Sequence, residues 1–454
     1  MGAEERISIL LGDPRKAVVL MALPIVFSLF ISQVNILADR AWCSGLGDDA
    51  VSAIAVVMPV YLTIVGLGNG FGFGVSAVVS RMIGADDRGR ASMSAAWAAI
   101  LSLAFGLVLT LILVFGQEGL VSVIGVDNIS ELACTYMLPY SFCAVLIVFN
   151  GAVAGILNGQ GATHYTMLLM VVQAAVNMVL DPVFIYVLDM GLLGASVATV
   201  AATLVSAVIG NILIVSGRTY LPIRRKNIAY DGGCVRMLLT AGIPPMLEYT
   251  VMYFMDAVLN RLVLMTEAGS HALTVYSLPE SLMNLIIVPA VAIGSALIPV
   301  ASSAFGQRDM GRMRASFRFA ITRGIPIVVA LAAIVEIFPE QILYVFTYSE
   351  EMADIRPEIV EMLRVMCLYI GFFAFTPICS GYLQALGHPN RSLIVAVCRN
   401  SVLTFFFWIA MQQQEVTSFG WALMFGHMIG AATILTVAFF TDRQVSKTMA
   451  PRIV

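Results

Sequence analysis

The stretch Gln173-Ala-Ala-Val-Asn177-Met-Val-Leu-Asp181-Pro182 places an amide and a carboxylate inside an apolar run from about residue 165 to residue 188. The run is long enough to span a bilayer as a helix. A charge at that depth costs at least ~2.5–3.5 kcal/mol, so such a residue usually has a partner and a function. Asn177 and Asp181 are four residues apart and share one helix face. Pro182 frees a backbone carbonyl beside the acid. The stretch therefore predicts a polar site inside a membrane helix.

The whole sequence has the composition of an integral membrane protein. Of its 454 residues, 59% are hydrophobic and 12% are charged, and its mean hydropathy is +0.91. Soluble domains carry about 25% charged residues. Apolar runs long enough to span a bilayer recur twelve times along the chain. They lie near residues 17–39, 50–80, 91–116, 131–155, 164–188, 192–216, 236–265, 271–304, 318–346, 358–386, 392–413 and 417–441. The sequence predicts an all-α polytopic membrane protein with 12 transmembrane helices.

The distribution of basic residues predicts the orientation of the chain. All but four of the 25 lysines and arginines, with Arg399 among the majority, are assigned to segments on the same side as the N-terminus. The positive-inside rule places that side in the cytoplasm. We therefore expect a multi-pass protein of the plasma membrane with both termini in the cytoplasm.

The chain contains an internal duplication. Three short motifs recur in the same order at a slowly increasing spacing, as a few inserted loop residues would produce. They are Ala22-Leu-Pro24 and Gly242-Ile-Pro244, 220 residues apart, Gly84–Arg90 and Gly306–Arg312, 222 apart, and Gly155–Gly161 and Gly381–Gly387, 226 apart. Each half holds six spans, and an even number inserts both halves in the same sense as a parallel repeat. We predict an N-terminal lobe (1–216), a cytoplasmic linker (217–235) and a C-terminal lobe (236–454).

Polar residues from separate spans of the first half are predicted to lie at a similar depth, in the outer half of the membrane. Counting along the spans places there Asp39, Asn177, Asp181 and Thr199, and Tyr136 joins them at the outer start of the fourth span. Two carboxyls in one apolar pocket repel each other, which favours protonation of at least one. The same oxygen atoms also suit Na+, because hard cations take oxygen ligands. The alternative for Asp39 is an ion pair with the neighbouring Arg40 at the water interface.

The second half lacks these carboxylates but has acids of its own. By the repeat spacing, Asn177 corresponds to Leu403 and Asp181 to Phe407, so the predicted ion site belongs to the first half. The second half carries Glu248 and Asp256, eight residues apart and so near one helix face. Met252 and Tyr253 lie between them. An acid beside adaptable methionine and aromatic side chains suits a bulky organic cation. The alternative for both acids is a hydrogen bond satisfied within the bundle.

Metal centres and enzyme motifs are not indicated. The seven cysteines and four histidines are scattered, without a CxxC or Cys/His spacing that would bind a metal. No HExxH or GxSxG motif supplies a nucleophile or a metal-activated water. We therefore expect a carrier that is not an enzyme and has no cofactor beyond a coupling ion, H+ or Na+. We also expect a monomer in the lipid bilayer, without a nucleic-acid partner.

Several segments resemble the multidrug and toxic compound extrusion (MATE) transporters of prokaryotes. The resemblance covers nearly the whole chain and is most specific in two neighbouring segments. They are Asn177-Met-Val-Leu-Asp181-Pro182 and Gly191-Leu-Leu-Gly194-Ala195-Ser-Val-Ala198-Thr199. Supporting segments are Ala22-Leu-Pro24, Ser80-Arg81-Met-Ile-Gly84-Ala-Asp-Asp and Gly159-Gln160-Gly161.

The resemblance implies a V-shaped pair of six-helix bundles that exports amphipathic, often cationic compounds in exchange for H+ or Na+. In members with an acid in the first span, four residues form the cation site, and the matching positions here are Asp39, Asn177, Asp181 and Thr199. Other branches use a glutamate of the seventh span, where Glu248 lies. The alternative is a flippase for a lipid-linked sugar or another amphipathic lipid. Such proteins usually have more spans and a more basic cleft.

Overall fold

The structure is a computed structural model that describes residues 2–124, 130–221, 223, 231–344, 347 and 350–449. These residues form sixteen α-helices joined by short turns. The helices are α1 (Ala3–Leu11), α2 (Pro14–Cys43), α3 (Asp48–Gly84), α4 (Arg88–Ile124), α5 (Ser130–Gly159), α6 (Thr163–Pro182), α7 (Gly191–Val215), α8 (Gly232–Leu264), α9 (Ser270–Ile286), α10 (Val288–Gly306), α11 (Met310–Ile337), α12 (Pro339–Tyr344), α13 (Glu350–Phe373), α14 (Phe375–Ala385), α15 (Pro389–Gln413) and α16 (Thr417–Met449). Residues 222 and 224–230 of the predicted linker lie outside the described residues.

Among the described residues, eleven helices are long and apolar enough to cross a membrane. The predicted seventh span, α8, is also long enough, at 33 residues. Its two prolines and its acids Glu248 and Asp256 lower its hydropathy. With α8 as the twelfth span, the predicted fold class is confirmed. The chain is an all-α, multi-pass membrane protein.

Two predicted spans are each divided into two helices at a proline. The eighth span consists of α9 and α10, and α10 carries Pro289 in its first turn. The tenth span consists of α13 and α14, and α13 ends at Phe373, four residues before Pro377. Proline has no N–H to bond the carbonyl four residues earlier, so the regular helix ends there.

The internal duplication is visible in the packing. A Cβ at Gly155 of α5 would collide with the backbone of Gly72 in α3, and a Cβ at Gly381 of α14 would collide with Gly294 in α10. Gly72 and Gly294 are 222 residues apart, and Gly155 and Gly381 are 226 apart, as the repeated motifs predict. Small residues let membrane helices approach to backbone contact. The second and fourth spans of each half therefore pack in the same way.

The two halves meet along α3, which packs against α8 and α10. A Cβ at Gly84 would collide with the backbone of Ser303, and a Cβ at Gly306 with that of Arg81. Adding 222 to 81 and 84 gives 303 and 306, so the two contacts are related by the repeat. The guanidinium of Arg81 also donates to the carbonyl of Ala385, at 3.0 Å. The halves are therefore in contact at the side predicted to be cytoplasmic.

Helix α1 lies across the same side and contacts both halves. Arg6 donates to the carbonyl of Arg218, at 3.2 Å, and its guanidinium lies over the ring of Tyr165. At the other end of α1, the carbonyl of Leu10 accepts hydrogen bonds from Ser303 and Arg312. Leu10 is completely buried. The sequence did not predict this helix, because the segment is polar and short.

Candidate functional site

The stretch around Asp181 forms the centre of a buried polar cluster. Asn177 and Asp181 lie on one face of α6, and each is only 1% exposed. Asn177 Nδ2 donates to Asp181 Oδ1, at 3.0 Å, and to Thr199 Oγ1 of α7, at 3.4 Å. After Pro182, residues Val183–Val187 form a π-helical turn, so the helix is irregular next to the acid. Three of the residues predicted for a cation site are therefore in direct contact.

Asp39 joins this cluster through a residue that the sequence analysis missed. Asn35 of α2 donates to Asn177 Oδ1, at 2.8 Å, and its Nδ2 lies 3.4 Å from Asp39 Oδ2. The carboxyl of Asp39 is also close enough to that of Asp181 for the two to interact. Asn35 precedes Asp39 by four residues and so shares its helix face. The four-residue spacing between Asn35 and Asp39 could therefore have predicted Asn35 from the sequence.

The cluster has acceptor oxygens that lack donors. Asp181 Oδ2 and Asn35 Oδ1 are buried, and neither has a hydrogen-bond partner in the described part of the chain. Asp39 turns towards Asn35 and Asp181, and no ion pair with Arg40 occurs among the described residues. Buried acceptors without donors are costly unless a proton or cation neutralises them. Carboxylate, amide and hydroxyl oxygens are also the ligands that Na+ would take.

Aromatic residues close one side of this cluster. Tyr136 of α5, which is 4% exposed, accepts a hydrogen bond from Tyr140 through its hydroxyl, at 3.1 Å. The ring of Tyr61 of α3 lies 4.7 Å from that of Tyr140. All three tyrosines are near enough to Asp39 to interact with its charge. Tyr136 therefore lies beside the acids without bonding to them directly.

In the second half, Glu248 lies on α8 and is held by two serines. Ser380 of α14 donates to Glu248 Oε1, at 3.0 Å, and Ser392 of α15 donates to Oε2, at 2.9 Å. The two serine hydroxyls lie 2.7 Å apart. Glu248 thus links three helices of the second half, and its carboxylate is satisfied within the bundle.

Asp256, two turns further along α8, is exposed. Tyr253 and Tyr249 of the same helix pack against α3, where a Cβ at Gly66 would lie 2.7 Å from Tyr253 Cε2. Their ring centroids are 6.2 Å apart. Met252 lies beside them on α8 and is partly buried. The residues predicted to bind substrate are therefore placed on α8, with its tyrosines at the boundary between the halves.

The position of Arg399 contradicts the side of the membrane predicted for it from the sequence. It was assigned to the cytoplasmic side, but it lies ten residues into α15, about 15 Å from the start of that helix, and is only 7% exposed. Its guanidinium lies over the ring of Phe373, 5.7 Å from the centroid. The prediction was wrong because an arginine near the start of a span was counted with the preceding loop.

Comparison with known proteins identifies the family. The MatE family profile matches residues 24–183 and 244–409. The chain belongs to the MatE family. The two matched segments start at Pro24 and Pro244, 220 residues apart, so the MatE profile detects the same duplication as the repeated motifs.

Relatives in the MatE family extend over almost the whole chain. The multidrug export protein MepA of Staphylococcus aureus is 22% identical over 433 residues, which cover 94% of this chain and 94% of MepA. A structure described as the outward-facing conformation of a multidrug resistance MATE family transporter is similar, with a TM-score of 0.92 and 28% identity over 97% of this chain and 98% of that chain. A MATE crystal structure in complex with MaL6 is also similar, with a TM-score of 0.93 and 28% identity, covering 97% and 99%.

Proposed function

We propose that this MatE-family protein exports amphipathic, often cationic organic compounds in exchange for H+ or Na+ by alternating access. The observation that carries the proposal is the buried cluster around Asp181, in which one carboxylate oxygen has no donor among the described residues. A membrane protein tolerates such a costly group where it has a function. The names of its relatives, multidrug export protein and multidrug resistance transporter, agree with this role.

The coupling ion binds between Asp39 and Asp181 in this proposal. A proton on one carboxyl gives the pair a donor, whereas Na+ would take oxygen atoms from both acids together with Asn177 and Thr199. Either ion removes the repulsion between the two acids. The cluster joins α2, α6 and α7, so an ion that draws these helices together stabilises one arrangement of the N-terminal half over another. Tyr136 shields the ion from the side of α5.

The substrate contacts the second half, along α8. Asp256 is exposed and supplies a negative charge, while Tyr253 and Met252 supply an aromatic face and an adaptable apolar surface. Glu248, whose oxygens are already bonded to two serines, contributes through its charge. Glu248 and Asp256 are close enough to Arg399 to interact with its charge. Glu280 is close enough to Asp256 to interact with it, so three acids lie near one arginine. This excess of acids favours cation efflux over a lipid-linked sugar flippase.

In this proposal, residues 1–216 and 236–454 move as two lobes joined by residues 217–235, within a monomer. Both termini face the cytoplasm, in the plasma membrane. The contacts of Arg81 and Gly84 with the C-terminal half close the cytoplasmic side. Opening that side requires these contacts to separate while the outer side closes.

The test is transport by the purified protein in liposomes, with pH and Na+ gradients imposed separately. We expect one gradient to drive efflux of a fluorescent organic cation, and Asp181→Asn to reduce that efflux at least about tenfold, because an amide cannot take up and release the ion. Asp189→Asn is the matched control, since Asp189 follows the same helix but is exposed. Unchanged coupling in Asp181→Asn would exclude Asp181 as the ion carrier.

A further inference from the structure

The buried Arg399 in the second half forms no direct ion pair with a carboxylate among the described residues, although the charges of Glu248 and Asp256 act on it. Its Nε and Nη2 atoms donate only to the side chain of the adjacent Asn400, at 3.3 and 3.2 Å. A guanidinium has five donors in a planar fork. A buried charge without a direct ion pair is costly, and packing alone does not account for its unused donors.

Two more buried polar groups beside Arg399 lack partners. Asn400 Nδ2 and His427 Nδ1 are without hydrogen-bond partners in the described residues, and the two side chains are 6% and 7% exposed. Both Arg399 and His427 lie next to the ring of Phe373. The centroid of that ring is 4.6 Å from the centroid of the His427 ring and 5.7 Å from Arg399 Cζ. A Cβ at Gly430 would lie 2.7 Å from Arg399 Cγ, so the glycine makes room for the arginine. Unpartnered nitrogen atoms of α15 and α16 therefore lie close to Arg399 and Phe373.

The register of α8 and α15 places an acid at the same level. The seventh and eleventh spans run in the same direction, and Glu248 of α8 is bonded to Ser392 of α15. Asp256 lies eight residues after Glu248, and Arg399 lies seven residues after Ser392, so both are about 10–12 Å further along their helices. The charge of Arg399 acts on Asp256, although the two form no ion pair. An exposed acid and a buried base thus face one region without neutralising each other directly.

We propose that Arg399, Asn400 and His427 form an anion-binding subsite that takes the carboxylate of zwitterionic amphipathic substrates whose ammonium group faces Asp256. Arg399 offers the fork of donors that matches a carboxylate. Asn400 Nδ2 and one tautomer of His427 add neutral donors, and Phe373 supplies an apolar surface. The proposal deepens the efflux function and rests on it, because it assigns the carboxylate of such a substrate to a site in the second half.

A purely structural role for Arg399 would be to balance the acids of the second half. Such a countercharge would gain most from direct contact with Glu248, Asp256 or Glu280. Glu248 is instead satisfied by Ser380 and Ser392, and Arg399 bonds to Asn400. The donors that remain unused are those that a carboxylate from outside would bind.

The test uses the full-length protein and two fluorescent rhodamines that differ in one group. The methyl ester is a cation, whereas the free acid carries the same cation and a carboxylate. We expect Arg399→Gln to raise the KM and the Kd for the free acid about tenfold to a hundredfold and to leave those for the ester within about twofold. Arg391→Gln is the matched control, since Arg391 lies on the same helix but binds Thr441 and Gln444, and it should change neither rhodamine.

If Arg399→Gln does not fold, Arg399→Lys takes its place, since it keeps the charge but loses the planar fork. It should weaken binding of the free acid alone. Equal changes for acid and ester, no change for either, or a wild-type protein that does not bind the free acid would each overturn the subsite. If no gradient drives export of the ester, the efflux function fails instead, and binding of the free acid still decides the subsite.

Discussion

At the scale of single residues, Asn35 is the link between the acids of the N-terminal half. Its amide donates to Asn177 and lies beside Asp39, so one side chain connects α2 to α6. Asp181 Oδ1 accepts a hydrogen bond from Asn177, whereas Asp181 Oδ2 has no donor among the described residues. The sequence predicted Asp39, Asn177, Asp181 and Thr199 for this cluster but not the asparagine that joins them.

We expect Asn35→Leu to weaken ion coupling. Leucine has nearly the same volume but leaves Asn177 Oδ1 and Asp39 without their donor, at a cost of about 1–3 kcal/mol for each buried polar group. Gradient-driven efflux in liposomes should fall about tenfold, a loss equivalent to ~1.4 kcal/mol. Asn211→Leu, at an exposed position of α7, is the control. Wild-type coupling in Asn35→Leu would mean that the acids do not depend on this amide.

At the scale of helices, glycine and proline positions decide how the spans pack and where they break. Pro377 ends α13 at Phe373, the residue whose ring contacts Arg399 and His427. The glycines of α3 and α5 allow backbone contact, and those of α10 and α14 repeat it. Gly155 and Gly381 belong to the repeated motifs of the sequence, but the sequence did not show which helices they join.

We expect Gly155→Leu to destabilise the N-terminal half. The new side chain would collide with the backbone of Gly72, and overpacking of this kind costs about 1–3 kcal/mol. The thermal unfolding temperature in detergent should fall, and the equivalent change, Gly381→Leu, should have a similar effect in the second half. Gly116→Leu serves as the control, because nothing lies within 4 Å of a Cβ there. Equal unfolding temperatures for Gly155→Leu and Gly116→Leu would contradict the close packing.

At the scale of the whole molecule, the two halves are held together at the predicted cytoplasmic side. Arg81 of α3 reaches across to the carbonyl of Ala385 and lies over the ring of Phe305, 4.2 Å from the centroid. Helix α1 adds a second bridge, from Arg218 to Ser303 and Arg312. These contacts have to break before the halves can separate on this side.

We expect Arg81→Ala to favour opening of this side. The substitution removes one hydrogen bond and one cation–π contact between the halves, each worth about 1 kcal/mol. Spin labels at the exposed positions Arg90 and Arg308 should then show an additional population at longer distance. Arg88→Ala is the control, because Arg88 contacts Tyr220 and does not reach the C-terminal half. An unchanged distance distribution in Arg81→Ala would show that this arginine does not hold the halves together.

The asymmetry between the halves also appears at this scale. Phe407, which corresponds to Asp181 by the repeat spacing, is completely buried and packs against Tyr276 and Phe419, with ring centroids at 5.9 and 5.2 Å. The second half thus has an aromatic core where the first has an acid. The acids Glu248, Asp256 and Glu280 of the second half lie on α8 and α9, and Arg399 lies on α15.

The sequence by itself determined the membrane class, the twelve spans, the duplication and the residues around Asp181. Hydrophobic length, charge cost in lipid and repeat spacing are local or periodic properties, so they can be counted along the chain. Only the tertiary structure decided that Asn35 joins the acids, that two serines satisfy Glu248 and that Arg399 is buried beside His427. These facts depend on which helix faces meet, and that is set by packing between segments hundreds of residues apart.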